Sequence, residues 1–142
     1  MGNIMKYFII IVHILLGLIL LFMINSPMSI YYKIQNPQTF WPDYSVLRIV
    51  VETIFGIILG LLSIIGALGF RKDKRWAMFV LPAVTLALIL ELLLPLIIAS
   101  IKGDKSAYAW TGGIIILYAL VLLVFFISEI LYIRLRKQTQ PN

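Results

Sequence analysis

The chain has 142 residues, 62% of them hydrophobic, and a mean hydropathy of +1.04, values far outside the range of a water-soluble domain. Its net charge of +6 sits in basic residues scattered at the ends of apolar runs, which argues against the folded basic face of a nucleic-acid reader. With no cysteine, this sequence offers no thiol redox chemistry, no iron–sulfur ligation and no S-acylation.

A hydrocarbon core of about 30 Å needs roughly 20 apolar residues at 1.5 Å rise. Four such runs are present, at about 7–24, 46–70, 76–101 and 107–133. Each is apolar on nearly every side, unlike the short alternating segments of a barrel. The expected fold is therefore all-α: a single transmembrane domain over 1–142, built as an integral membrane four-helix bundle.

The first run, Tyr7 to Ile24, follows Lys6 and is long for a secretory h-region. Its exit, Met23-Ile24-Asn25-Ser26-Pro27, lacks a small-x-small cleavage site, so it reads as a retained helix. The start Met1-Gly2-Asn3-Ile4-Met5-Lys6 also lacks the Ser or Thr at position six that favours myristoylation. His13 lies six residues into this helix, with Gly17 one turn later, and is expected to face a neighbouring helix. A neutral histidine hydrogen-bonded across the bundle suits that position better than a proton relay or metal ligand.

The connection 25–45 carries Tyr31, Tyr32, Phe40, Trp41 and Tyr44 among Pro27, Pro37 and Pro42. Aromatic rings of this kind settle at the outer headgroup level, as an interfacial belt or as a docking surface.

In the second helix Gly56, Gly60, Ser63 and Ala67 recur at spacings of four, three and four residues, which places them on one face. Small residues there allow close helix approach, on which association in lipid depends. The same face extended toward the outer end reaches Glu52 and then Arg48. In the third helix Glu91 lies ten residues from the outer end, roughly 15 Å deep, against roughly 9 Å for Glu52. Helix tilt can bring the two carboxyls into one layer.

Arg48, Glu52 and Glu91 thus form the candidate intramembrane polar cluster. One guanidinium cannot fully compensate two carboxylates in a dry environment. The cluster has two readings: a buried ion pair with a hydrogen-bonded neutral acid fixing helix register, or a functional site, as a proton- or cation-exchanging pair in a transport path or a polar socket for a ligand headgroup. Ala83, Ala87 and Ala99 lie near the face of Glu91, and Pro95 one turn beyond it can free a backbone carbonyl. Thr85 and Tyr118 fall near the midplane and need partners from other helices. Glu129, near the cytoplasmic end of helix four, is expected to snorkel outward or toward the basic cluster Arg71, Lys72, Lys74 and Arg75.

Basic residues accumulate on the cytoplasmic side of short connections. Lys6, that cluster, and Arg134, Arg136 and Lys137 make eight on one side; Lys33, Arg48, Lys102 and Lys105 make four on the other. Both termini are therefore expected in the cytoplasm. Short second and third connections make neighbouring helices antiparallel, giving up-down-up-down order. Juxtamembrane basic residues also suit anionic lipid headgroups.

A single histidine cannot build the usual haem or multi-histidine metal site, and the sequence has no phosphate loop, G-x-S-x-G elbow or H-E-x-x-H motif. No catalysis, cofactor or metal is expected. The run Val51-Glu52 through Gly56, Gly60 and Gly66, then a basic turn and Arg75-Trp76-Ala77, resembles the E-x-x-x-G, glycine, glycine, Arg-x-Ala progression of the DoxX-like superfamily. The helix-four opening Trp110-Thr111-Gly112-Gly113 is similar too, so the likeness spans about 46–113. The resemblance implies a four-helix cell-membrane protein, sometimes an accessory subunit of a redox complex, with no defined catalytic residues.

The function expected is that of a non-catalytic accessory or structural subunit, surrounded by membrane lipids and packed against other membrane proteins or copies of itself, without nucleic acid. The alternatives are a small oligomeric proton- or ion-linked transporter using Glu52, Glu91 and His13, and a lipid- or quinone-binding protein.

Overall fold

The computed structural model describes residues 2–24, 30–31, 35, 46–102 and 111–139, and within them all extended secondary structure is helical. Helix α1 spans Gly2–Leu18 and widens into a π-helical stretch at Ile19–Ile24; α2 spans Val46–Arg71, α3 Ala77–Lys102 and α4 Thr111–Thr139. All four are long and apolar enough to cross a membrane, which makes the chain a multi-pass membrane protein. In two places the helices outrun the apolar stretches. Helix α1 starts at Gly2 instead of Tyr7, and α4 continues through Arg134, Arg136 and Lys137 to Thr139. Hydropathy marks the part of a helix that lies in lipid, while the hydrogen-bond ladder continues wherever good helix formers follow. Apart from Ile30, Tyr31 and Gln35, the aromatic connection, with Tyr32, Phe40, Trp41 and Tyr44, lies outside the described residues.

The chain divides into two compact units, Lys6–Val80 and the combination of Met1–Met5 with Leu81–Asn142. In the first, Lys6 meets Arg71 and Asp73, His13 meets Ser63, and Gly17 meets Gly60. Residue numbers rise along α1 as they fall along α2, so these two helices are antiparallel. Two residues of the predicted stripe, Gly60 and Ser63, supply the α2 side of the contact, and Gly56 and Ala67 on the same face are buried as well.

The approach is close enough to exclude a side chain. A Cβ on Gly17 would stand 2.7 Å from the Gly60 carbonyl oxygen, and one on Gly60 would stand 3.2 Å from the Gly17 oxygen. Each carbonyl therefore faces the other glycine's Cα, a geometry that permits weak Cα–H···O contacts in addition to dispersion. Just beyond, the wider π turn lays Leu21 over Gly60, its Cγ 2.9 Å from where a Cβ would be.

Helix α2 ends in a Schellman motif. The Lys74 N–H donates to the Gly69 carbonyl and the Asp73 N–H to that of Phe70, with Asp73 at φ 57°. That left-handed position most often belongs to glycine. Here the aspartate instead receives Lys6 Nζ at 2.6 Å, and the same ammonium donates to the Arg71 carbonyl at 3.1 Å. Lys6 thus caps the negative end of α2 and fixes the start of α1 against the turn. Trp76 lies against Gly69, where a Cβ would stand 2.6 Å from its ring.

In the second unit α3 buries Leu81, Val84, Thr85 and Leu88, and α4 buries Ala119, Phe125, Glu129 and Tyr132. Spacings of three and four residues keep Leu81, Thr85 and Leu88 on one face of α3, and Phe125, Glu129 and Tyr132 on one face of α4.

Candidate functional sites

The outer cluster expected from sequence is distributed over both units. Arg48 and Glu52 sit one turn apart on α2; the Arg48 side chain lies outside the described residues. Glu91 is on α3, in the other unit. Glu52 and Glu91 are each half-buried, and Ala83, expected on the inward side near Glu91, is exposed. The side chains of Pro95 and Ala99 also lie outside the described residues. Among the described residues the fully buried polar groups are four others: His13, Ser63, Thr85 and Glu129, none more than 1% exposed.

His13 and Ser63 join α1 to α2. Ser63 Oγ donates to the His13 main-chain oxygen at 2.9 Å, and His13 Nδ1 lies 2.8 Å from the same hydroxyl. A serine has one hydrogen to give. Since it goes to the carbonyl, the ring must donate through Nδ1–H and Ser63 Oγ must accept. The imidazole therefore carries a hydrogen on Nδ1. His13 is thus bonded from α1 to α2, through a residue of the small stripe.

Thr85 and Glu129 make the second buried pair. Thr85 Oγ1 lies 3.0 Å from Glu129 Oε2 and 3.2 Å from the Leu81 carbonyl of its own helix. The expectation that Glu129 snorkels to water is corrected: its side chain is 1% exposed. Its register decides this. Glu129 falls four residues after Phe125 and three before Tyr132, both buried, so it lies in the middle of the inward face of α4. The pair stays bonded in either charge state of the acid. A carboxylate accepts from Thr85, while a carboxylic acid donates to Oγ1 as the threonine hydrogen turns to Leu81.

Tyr118, expected to draw partners from the chain's other helices, is 62% exposed and belongs to the outward face of α4. In the turn after α2, Arg71, Lys72, Lys74 and Arg75 are all exposed.

Among the described residues no three His, Asp or Glu side chains converge as a metal site would require. No family model, curated protein or solved structure matches the chain. What these groups can do chemically therefore rests on their geometry. The two buried pairs hold helices in register.

Proposed function

We propose that the protein is a non-catalytic subunit of a larger membrane assembly, an up-down-up-down bundle of the cell membrane with both termini in the cytoplasm. One observation carries this reading. Only 22% of the α4 span is buried within the chain, against 39% for α2 and for α3. The rest of α4 presents Ile116, Leu117, Tyr118, Leu120, Val121 and Val124 outward, all exposed. Aliphatic residues suit lipid and protein alike, but a phenol inside a span favours a hydrogen-bonding neighbour. The basic asymmetry supports the orientation, and the similarity to the DoxX-like superfamily supports an accessory role.

The test is photocrosslinking in native membranes with benzoylphenylalanine at 118, 121 or 124. Discrete protein adducts at these positions, absent when the probe is placed at Phe22 or Leu47, support the proposal. Lipid adducts alone, from a chain that purifies as a monomer, overturn it.

Thr85 and Glu129 favour a second reading, a small proton- or ion-linked transporter, because a buried acid that keeps its hydrogen bond in both charge states can exchange a proton without unmaking the packing. A chain of four spans offers few helices to line a path in one protomer, so this reading requires an oligomer. Liposome flux with Glu129→Gln, Glu52→Gln and Glu91→Gln tests it; equal flux in all three and the parent removes it.

A further inference from the structure

The turn between α2 and α3 carries five charges in a row of residues that also holds an aromatic, and its wiring separates them. Asp73 is the one acid between Arg71 and Arg75. Left among the four cations it would draw one or two of them inward. Instead Lys6, arriving from α1 and only 16% exposed in its side chain, holds Asp73 at 2.6 Å and covers the Arg71 carbonyl. The negative groups of the turn, a carboxylate and a helix C-terminus, are thus both answered by a lysine from outside it. Arg71, Lys72, Lys74 and Arg75 remain exposed, and none forms an ion pair with a described residue.

We propose that this turn is a binding site for the phosphodiester headgroup of an anionic phospholipid, with Lys6 serving as the residue that keeps Asp73 from competing for it. The recognition runs through side chains, because the N–H groups of Ala77, Met78, Phe79 and Val80 at the start of α3 are already donated to turn carbonyls. Trp76, 45% exposed beside the cations, marks the headgroup level at which such a lipid lies. Its ring edge is fixed against Gly69, so it does not swing into the cations' place. The site follows from membrane insertion alone and does not depend on the subunit role proposed above.

Trp76 supplies the readout. The chain has three tryptophans, and replacing Trp41 and Trp110 by Phe leaves Trp76 to report alone. Quenching by brominated phosphatidylglycerol is compared with quenching by brominated phosphatidylcholine of the same acyl chains. The parent prefers phosphatidylglycerol several-fold, with the preference declining as salt rises. Lys72→Gln with Lys74→Gln lowers the preference by about threefold or more, a factor within the roughly fivefold expected per basic residue at a membrane surface. Arg134→Gln with Lys137→Gln, which removes the same charge from α4, leaves it unchanged. Lys6→Gln, which removes the ammonium 2.6 Å from Asp73, lowers the preference, and Lys6→Gln with Asp73→Asn restores it. Equal quenching by both lipids in the parent overturns the proposal. An equal drop with the α4 substitutions also overturns it, by showing that net charge and not the turn is being read.

Discussion

Replacing Gly17 by alanine tests the close approach of α1 and α2, on which the first unit depends. The added methyl would stand 2.5 Å from Ile64 Cγ1 and 2.7 Å from the Gly60 carbonyl oxygen. Ile64 has rotamers to use, but a helical carbonyl does not. Ordinary contact begins near 3.4 Å, so the backbones must part by roughly 0.7 Å at this point. Overpacking of that kind costs about 1–3 kcal/mol, and the better helix propensity of alanine returns up to about 1 kcal/mol. The net expectation is a loss of about 1–2 kcal/mol. One turn away the His13–Ser63 bonds at 2.8 and 2.9 Å are stretched toward the limit of useful geometry.

Gly60→Ala supplies the internal control. Its new methyl meets Leu21 Cγ at 2.9 Å and the Gly17 oxygen only at 3.2 Å, so a flexible side chain absorbs most of the strain. Thermal unfolding in dodecyl maltoside, followed by circular dichroism, is expected to rank parent, then Gly60→Ala, then Gly17→Ala. A Gly17→Ala protein as stable as Gly60→Ala would refute the claim that backbone contact sets the crossing.

Ser63→Ala is expected to cost about 1 kcal/mol, the scale of interhelical bonds in membranes. Combined with Gly17→Ala its effect is less than additive, because both weaken one contact; simple addition of the two shifts in melting temperature would count against the coupling. Thr85→Val removes the donor to Glu129 and is expected to destabilise by about 1–2 kcal/mol, whereas Thr85→Ser stays within about 0.5 kcal/mol of the parent. Equal melting temperatures for the two variants would show that the hydroxyl contributes nothing. At φ 57° Asp73→Gly relieves a left-handed residue by about 1 kcal/mol while losing a half-exposed ion pair of about 0–1 kcal/mol, so it is near neutral. Asp73→Ala loses the pair without the relief and falls about 1 kcal/mol below Asp73→Gly, and the reverse order in the same melts would disprove the Schellman assignment.

The small stripe Gly56, Gly60, Ser63 and Ala67 was legible because the 3.6-residue period converts spacing into a shared face, and His13 with Gly17 was legible for the same reason. Glu129 was misjudged from its place near a helix end. The usable signal was its register with Phe125 and Tyr132, which is hard to see in a helix apolar on every side. The Arg48, Glu52 and Glu91 cluster was inferred from the cost of charge in lipid, a rule that says such groups need partners without saying which helix provides them. Lys6 was counted only as a topology signal, although it also caps α2.

Composition by itself determined that the chain lives in lipid and that its backbone must bond within helices, because a bilayer interior offers no other partner to N–H and C=O groups. Periodicity determined which residues share a face. Tertiary structure alone decided the pairings: that Ser63 accepts from His13, that Thr85 meets Glu129, and that Lys6 takes Asp73 from its neighbours. Those contacts join residues 44 to 67 positions apart. No local pattern encodes such a distance, since it is set by how the helices rotate and slide until their small residues and polar groups coincide.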